Sequence, residues 1–368
     1  MIKVGVLYGG RSGEHDVSCC SAASVVSHLD TGKYSVVAVG IDRAGHWYVQ
    51  DEPCIVDDKD FGKKLTIEKT GHWLVNHYED GNRLTFYEQK SGRTVIVDVV
   101  FPVLHGSFGE DGTLQGLLDL AMVPYVGAGV LGSSVGMDKD VAKRLLRDAG
   151  IPVVPWITVY SIEWERNAGD ITKRVMDEFN FPVFVKPANA GSSVGVTRVA
   201  DEASLKGAME TGFSFDNKVI IEPGINCREI ECAVLGNLQP DASGLGEIIP
   251  SHEFYSYEAK YIDDDGARLE IPAGLDTKLE QEIRDLAVKG YLVLNCSGLA
   301  RVDFFVEKNS DSFYLNEINT LPGFTSISMY PKLWDTRGLP YKSLLDRLIE
   351  LAFERFNEKV RIYKSINI

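Results

Sequence analysis

The chain has 368 residues, 44% hydrophobic and 25% charged, long enough for two or three domains around a sizeable core. Its 38 Lys and Arg stand against 53 Asp and Glu, and the net charge of −15 argues against nucleic acid or an anionic membrane as the main partner. A local cluster of Lys and Arg can still hold phosphate inside an acidic protein. The six cysteines include no C-x-x-C pair and read as small buried hydrophobes of a reducing compartment. No stretch approaches the roughly 18 uninterrupted apolar residues of a membrane helix. The first ten residues read as a strand rather than a secretion leader, so a soluble, cytoplasmic protein is expected.

In chain order, residues 2–8 read as a buried strand, Gly9 to Gly13 as a turn, and Asp16 to His28 as a helix with Asp16 or Ser18 as its cap. Tyr34 to Ile41 is a second strand, and this β-α-β start predicts an open α/β sheet. Residues 45–95 carry short aromatic and β-branched runs and predict an inserted hairpin region, with Asp80-Gly81 as one turn. The parallel sheet is expected to resume over Val97–Leu104, with a helix from about Thr113. A further helix runs from Asp138, its cap, to Gly150, with Val141, Leu145 and Ala149 as its apolar stripe. Pro152 and Pro155 follow it as a hinge. Strands are predicted over Phe181–Lys186, Val194–Val199, Val219–Glu222 and Glu229–Leu235. Amphipathic helices are marked by Leu279, Ile283, Leu286 and Ala287, and by Tyr341, Leu344, Leu345 and Leu348.

The segment Ala300 to Thr325 carries the most chemistry. Two runs alternate with period two around Lys308-Asn309-Ser310-Asp311 and predict a hairpin. Alternation puts Arg301 and Asp303 on one face of the first strand and Glu317 and Asn319 on one face of the second. Two carboxylates and an amide oxygen suit Mg²⁺ shared with substrate phosphates, and an Arg stabilises charge on a phosphoryl group or an oxyanion. The plainer reading is a solvated surface hairpin.

Three glycine-rich segments and one aromatic one accompany it. Lys186-Pro-Ala-Asn-Ala-Gly-Ser-Ser-Val-Gly195 lets backbone N–H groups approach phosphate, yet lacks the G-K-[ST] of a Walker A loop. Gly9 to Glu14 precedes a helix N-terminus, but its spacing departs from G-x-G-x-x-G and disfavours a dinucleotide site. Glu14 repels phosphate there and suits a substrate ammonium, or else pairs with the helix dipole. His105 to Gln115 lies at the carboxyl end of a strand, where open sheets bind ligands. Phe254 to Tyr261 reads as a lid or an ordinary exposed loop.

Together these five ordered motifs resemble the D-alanine–D-alanine ligases of the ATP-grasp superfamily, over essentially the whole chain. The resemblance implies a three-domain ATP-grasp ligase of the α/β class: an open parallel α/β domain over residues 1–132, and α+β domains over 133–220 and 221–368 that sandwich ATP. It implies Asp303, Glu317 and Asn319 as ligands of two Mg²⁺ or Mn²⁺ ions, with Glu317 bridging. Lys139 and Lys186 match the lysines on the α- and β-phosphates, and Lys260 matches the one on the γ-phosphate. Glu222, Pro223 and Ile225 fall at adenine and Glu229 at the ribose, with Ser193, Phe254 and Asn316 also around ATP. Pro223, which offers no N–H, would contact adenine through its carbonyl alone. Glu14 would bind the ammonium of the first D-alanine, in a network with Ser192 and Tyr261, and His105 would sit beside it. Arg301 and the N–H of Gly323 would stabilise the tetrahedral oxyanion, and Ser328 and Met329 would hold the second substrate. The implied reaction joins two D-alanines through an acylphosphate for peptidoglycan precursor synthesis, with D-lactate or D-serine as the alternative second substrate. A homodimer is expected, with no nucleic-acid or membrane partner. More distant rivals are a non-catalytic ATP-binding module, disfavoured by the intact Arg301, Asp303, Glu317 and Asn319, and an NAD-dependent dehydrogenase.

Overall fold

Ile2–Gly9 (β1) and Tyr34–Ile41 (β2) pair in parallel, with Ile2 opposite Tyr34 and Gly9 opposite Ile41, and helix His15–His28 (α1) makes the crossover. The computed structural model describes residues 1–59, 61–77, 82–250, 267–310 and 312–365. Trp47–Gln50 (β3) adds antiparallel to β2 and Val99–Pro102 (β9) adds parallel to β1, giving the order β3-β2-β1-β9. The insert folds as expected into local antiparallel units. One is the hairpin Ile55–Asp58 (β4) with Gly62–Leu65 (β5), and the other is the ladder Trp73–His77 (β6), Leu84–Glu88 (β7) and Thr94–Val97 (β8). The turn expected at Asp80-Gly81 lies outside the described residues.

Two expectations need correction here. The strand placed over Val97–Leu104 is two: Val97 ends β8 in one sheet, and β9 begins at Val99 in another. The α1 cap is neither Asp16 nor Ser18. Glu14 holds the N-cap position with no side-chain cap bond, while the Ser18 hydroxyl accepts from Gly9 N at 2.8 Å and donates to the Val103 carbonyl. Ser18 thus ties the first turn to the end of β9.

Helices Thr113–Leu120 (α2), Val130–Met137 (α3) and Lys139–Asp148 (α4) lead to a second, wholly antiparallel sheet. It has the order β10-β13-β11-β12, from Ile157–Tyr160 (β10), Val183–Pro187 (β11), Thr197–Val199 (β12) and Lys218–Pro223 (β13). β13 crosses residue 220 and stays with this sheet. Helices Ser161–Glu178 (α5) and Glu202–Phe213 (α6) cover it, with Trp164, Val175, Leu205 and Met209 in its core.

The expected cap of α4 is present, since Asp138 accepts from Val141 N at 3.0 Å. Its apolar stripe is not the expected one. Leu145 is exposed and Val141 half-buried, whereas Ala142 and Leu146 are buried together with Asp140 and Lys143. The charged pair turns inward because partners await it. Asp140 Oδ1 accepts from Trp156 Nε1 at 2.8 Å, Thr158 Oγ1 at 2.6 Å and Arg144 Nε at 3.0 Å.

The third sheet, also antiparallel, has the order β16-β15-β14-β17-β18: Cys227–Gly236 (β14), Asp241–Pro250 (β15), Ala267–Glu270 (β16), Gly298–Glu307 (β17) and Phe313–Asn319 (β18). Thr277–Val293 (α7) packs on it through Ile283, Ala287 and Tyr291. Met329–Thr336 (α8) and Tyr341–Ser365 (α9) return to the first sheet, where Tyr330, Leu344 and Leu348 share one core with Val4, Val6 and Tyr8. Full burial of each such aliphatic side chain stabilises by about 1.5–3 kcal/mol, so this shared core fixes the ends of the chain on one another. Among the described residues, no helix is long and apolar enough to cross a membrane.

Candidate active site

The β17–β18 register sets Arg301 opposite Asn319 and Asp303 opposite Glu317, so period-two alternation brings all four to one face. Arg301 grips Asp303 with both arms of its fork, Nε to Oδ1 at 2.8 Å and Nη2 to Oδ2 at 2.7 Å. Asn319 Nδ2 donates to Asp303 Oδ2 at 2.9 Å. On the other side of β17, β14 sets Glu231 opposite Asp303, and Glu231 Oε2 lies 3.0 Å from Arg301 Nε. Burial works against the guanidinium charge, but Asp303 and Glu231 outweigh it and push the Arg301 pKa well up.

The second sheet supplies cations. Lys186, one residue from the end of β11, sits 2.6 Å from Glu222 Oε2, and its ammonium lies 5.7 Å from the ring centre of Phe305 on β17. Lys143 of α4 pairs with the other oxygen of Glu222. Burial opposes the Glu222 charge, yet the two ammonium groups hold its carboxyl well below the usual range. Lys139, one turn before Lys143, donates to the Ala190 carbonyl at 2.6 Å and approaches Glu317 Oε2 at 3.8 Å.

The first sheet supplies Glu14 and His105. Glu14 is buried and accepts from Ser192 Oγ, in the loop between β11 and β12. Ser192 and Ser193 both take left-handed backbone, at φ 48° and 59°, a conformation that costs non-glycine residues energy and so marks a constrained turn. Gly106 and Gly191 close around Glu14. A Cβ would come 2.6 Å from Glu14 Oε2 at Gly106, whose φ is +72°, and 2.8 Å from it at Gly191. The His105 ring places Nε2 3.1 Å from Ser21 Oγ, and Nδ1 3.2 Å from the Leu321 carbonyl and 3.7 Å from Glu110 Oε1. Burial opposes protonation of His105, but Glu110 outweighs it and raises the pKa. Beyond Leu321, Phe324 N donates to Ser21 Oγ at 3.2 Å, and Thr325 N donates to Ser328 Oγ at 2.9 Å.

All three groups meet at one cavity of about 610 Å³. Of the residues singled out from the sequence, Glu14, His105, Lys139, Lys186, Ser192, Ser193, Glu229, Arg301, Asp303, Asn316, Glu317, Asn319, Gly323, Ser328 and Met329 lie on its wall. Glu222, Pro223 and Ile225 do not, and the Glu222 carboxylate is turned to the two lysines. Phe254, Lys260 and Tyr261 lie outside the described residues. Sequence reasoning passed over Lys143 and Glu231. The i, i+4 spacing from Lys139 marked the first, and the period-two spacing from Glu229 marked the second. Among the described residues no three His, Cys, Asp or Glu side chains gather as a metal site.

Profiles of the D-ala D-ala ligase N-terminus and C-terminus match residues 3–128 and 145–350. The D-alanine–D-alanine ligase of Thermoanaerobacter sp. (strain X514) is 48% identical over 363 residues, 98% of each chain. The chain belongs to the D-alanine–D-alanine ligase family. Another member, D-alanine–D-alanine ligase A of Salmonella typhimurium, is 47% identical over 354 residues, 96% of each chain. Among solved structures of the family, the D-alanine–D-alanine ligase from Coxiella burnetii matches with a TM-score of 0.80 at 36% identity, over 100% of this chain and 99% of that one. The VanG D-Ala:D-Ser ligase from Enterococcus faecalis matches with a TM-score of 0.79 at 36% identity, over 95% of this chain and 99% of that one. The multi-sheet α/β architecture is that of the family.

Proposed function

We propose that this chain ligates two D-alanines at the expense of ATP, supplying D-alanyl-D-alanine for peptidoglycan precursors in the cytoplasm. The observation that carries the reading is that one cavity is lined at once by Glu14, by Lys139 and Lys186, and by Arg301, Asp303 and Glu317. A buried carboxylate suits the ammonium of an amino acid, the lysines suit phosphate, and the third group suits a divalent cation and a developing oxyanion. Two carboxylates and an amide oxygen on one face are the hard donors that Mg²⁺ or Mn²⁺ takes, two ions being expected beside ATP. When bound, such ions neutralise charge on the phosphoryl oxygens.

In this reading Glu14, tied to Ser192, orients the first D-alanine, and His105 lines the same end. A carboxylate oxygen of that substrate attacks the γ-phosphorus, the bond to the ADP oxygen breaks, and an acylphosphate results. Lys139 and Lys186 hold the α- and β-phosphates, and Lys260 is assigned to the γ-phosphate. The amine of the second D-alanine, placed by Ser328 and Met329, attacks the acyl carbon. Arg301 and the Gly323 N–H stabilise the oxyanion until phosphate leaves. Glu229, Ser193 and Asn316 line the nucleotide end, and Glu222, Pro223 and Ile225 are assigned to the adenine end, partly through backbone groups.

The division at about residues 132 and 220 belongs to the same reading, with β13 carried past the second limit. So does a homodimer, supported by the exposed Leu117, Leu120, Val130 and Leu131 on α2 and α3 and tested by light scattering. D-lactate and D-serine stand as alternative second substrates, although the VanG D-Ala:D-Ser ligase matches no better than the D-alanine–D-alanine ligase from Coxiella burnetii. Release of ADP with D-alanine alone, then with D-serine or D-lactate added, and product mass spectrometry separate the readings. Absence of dipeptide from D-alanine alone overturns the first.

A further inference from the structure

Lys143 is a buried cation that the reaction above does not use. It is 1% exposed, sits on α4 one turn from Lys139, and its ammonium lies 5.5 Å from the ring centre of Trp156. Its ion-pair partner is Glu222, itself 2% exposed. Asp140, the acid on the same buried helix face as Lys143, is engaged by Trp156, Thr158 and Arg144. Glu222 in turn holds Lys186 at 2.6 Å. One buried carboxylate is therefore shared by two ammonium groups, although one would balance it.

The excess becomes intelligible when Lys186 moves to phosphate. With Lys186 as its sole partner, Glu222 would be left as an uncompensated buried charge each time the lysine turned toward a nucleotide, and such a state is strongly disfavoured. Burial and the neighbouring Lys186 work against the Lys143 charge and lower its pKa, while Glu222 in contact with it favours the charge; as a second cation it removes that obstacle. We propose that Lys143 is a positioning residue for nucleotide binding: it keeps Glu222 compensated, so that Lys186 is free to leave the carboxylate for the phosphates. This rests on the assignment of Lys186 to the α- and β-phosphates.

The test is the affinity of the full chain for ADP and for adenosine, measured by calorimetry. Lys143→Met leaves Lys186 and Glu222 as a balanced pair, so the fold should hold. ADP binding should weaken roughly tenfold or more, while adenosine stays within about twofold. Equal losses for both ligands, or none, overturn the proposal in favour of a packing role. Adding Glu222→Gln removes the carboxylate that captures Lys186. In that double variant the ratio of ADP to adenosine affinity should return to that of Glu222→Gln alone, and a persisting deficit overturns the proposal. This second comparison stands even where Lys143→Met alone fails to fold. Lys186→Met separates the two levels. If it leaves ADP binding intact, the phosphate assignment fails. If it weakens ADP while Lys143→Met does not, the fault lies with the role given to Lys143.

Discussion

Two ion clusters, one buried and one half-buried, face one another across the cleft, and they are balanced in opposite directions. On the second sheet two ammonium groups, Lys143 and Lys186, share the single carboxylate of Glu222. On the third, the single guanidinium of Arg301 lies between Asp303 and Glu231, with Glu317 opposite Asp303 in register. Burial requires that each charge have a partner, since removing one partner of a buried pair costs about 3–5 kcal/mol. Binding requires that some charge be left over. Among the described residues each cluster shows an unequal count, with more cations on the wall expected to meet phosphate and more carboxylates on the wall expected to meet a cation.

The comparison breaks most visibly at Glu317. Glu317→Gln removes one negative charge without changing shape, and we expect ligation to vanish while circular dichroism and the melting temperature stay near those of the parent. Near-normal turnover at saturating Mg²⁺ would take the negative surplus out of the metal argument. Next comes Arg301→Lys. The charge survives but the fork that grips Asp303 does not, and the rate should fall on the order of 10²–10³-fold. A loss of only a few-fold would reduce Arg301 to a structural ion pair.

Glu231→Gln probes the surplus itself. Arg301 remains held by both oxygens of Asp303, so the fold should survive. The wall loses one negative charge, and the Mg²⁺ concentration for half-maximal activity should rise roughly 3–10-fold, the equivalent of about 1 kcal/mol. An unchanged Mg²⁺ profile would confine Glu231 to packing. The smallest effect is expected at His105, away from both clusters. Its pKa is raised in the folded state, so its charged form adds stability fully present below the unfolded value of about 6.5 and lost as pH rises through the folded value. Melting temperature should therefore fall with increasing pH above 6.5 more steeply in the parent than in His105→Gln. Parallel curves would mean that Glu110 does not hold the imidazolium.

The negative wall was legible in the sequence because strand alternation is a local rule. Arg301, Asp303, Glu317 and Asn319 lie within one hairpin, and their shared face follows from period two alone. The cap of α4 was legible for the same reason. Of the positive wall, Lys186 was legible from its glycine-rich segment, but the inward turn of Lys143 was hidden. A hydrophobic stripe assigns charged residues outward, so Asp140 and Lys143 were not expected on the buried face of α4. What turns Lys143 inward is Glu222, which arrives from a distant strand, and tertiary pairing of that kind leaves no mark in local pattern. Val97 misled in another way. The run from Val95 to Leu104, apolar but for Asp98, conceals the change of sheet at that residue, whose Oδ2 accepts from Lys3 N at 2.8 Å.

The hydrogen bonds that close the cleft also say when during synthesis a site can exist. Ser192 reaches back 178 positions to Glu14, His105 waits for a carbonyl 216 positions later, and the Phe324 N–H meets Ser21 across 303. Chains emerge from the ribosome N-terminus first, and early domains fold as units. The strands of the first sheet are made long before its pocket has a far wall, and before Tyr330, Leu344 and Leu348 complete their core. A nascent chain that has not yet exposed residue 324 holds Glu14 and His105 in a half-built cleft open to water, and the surfaces that later bury them must be kept from other partners until the third sheet arrives.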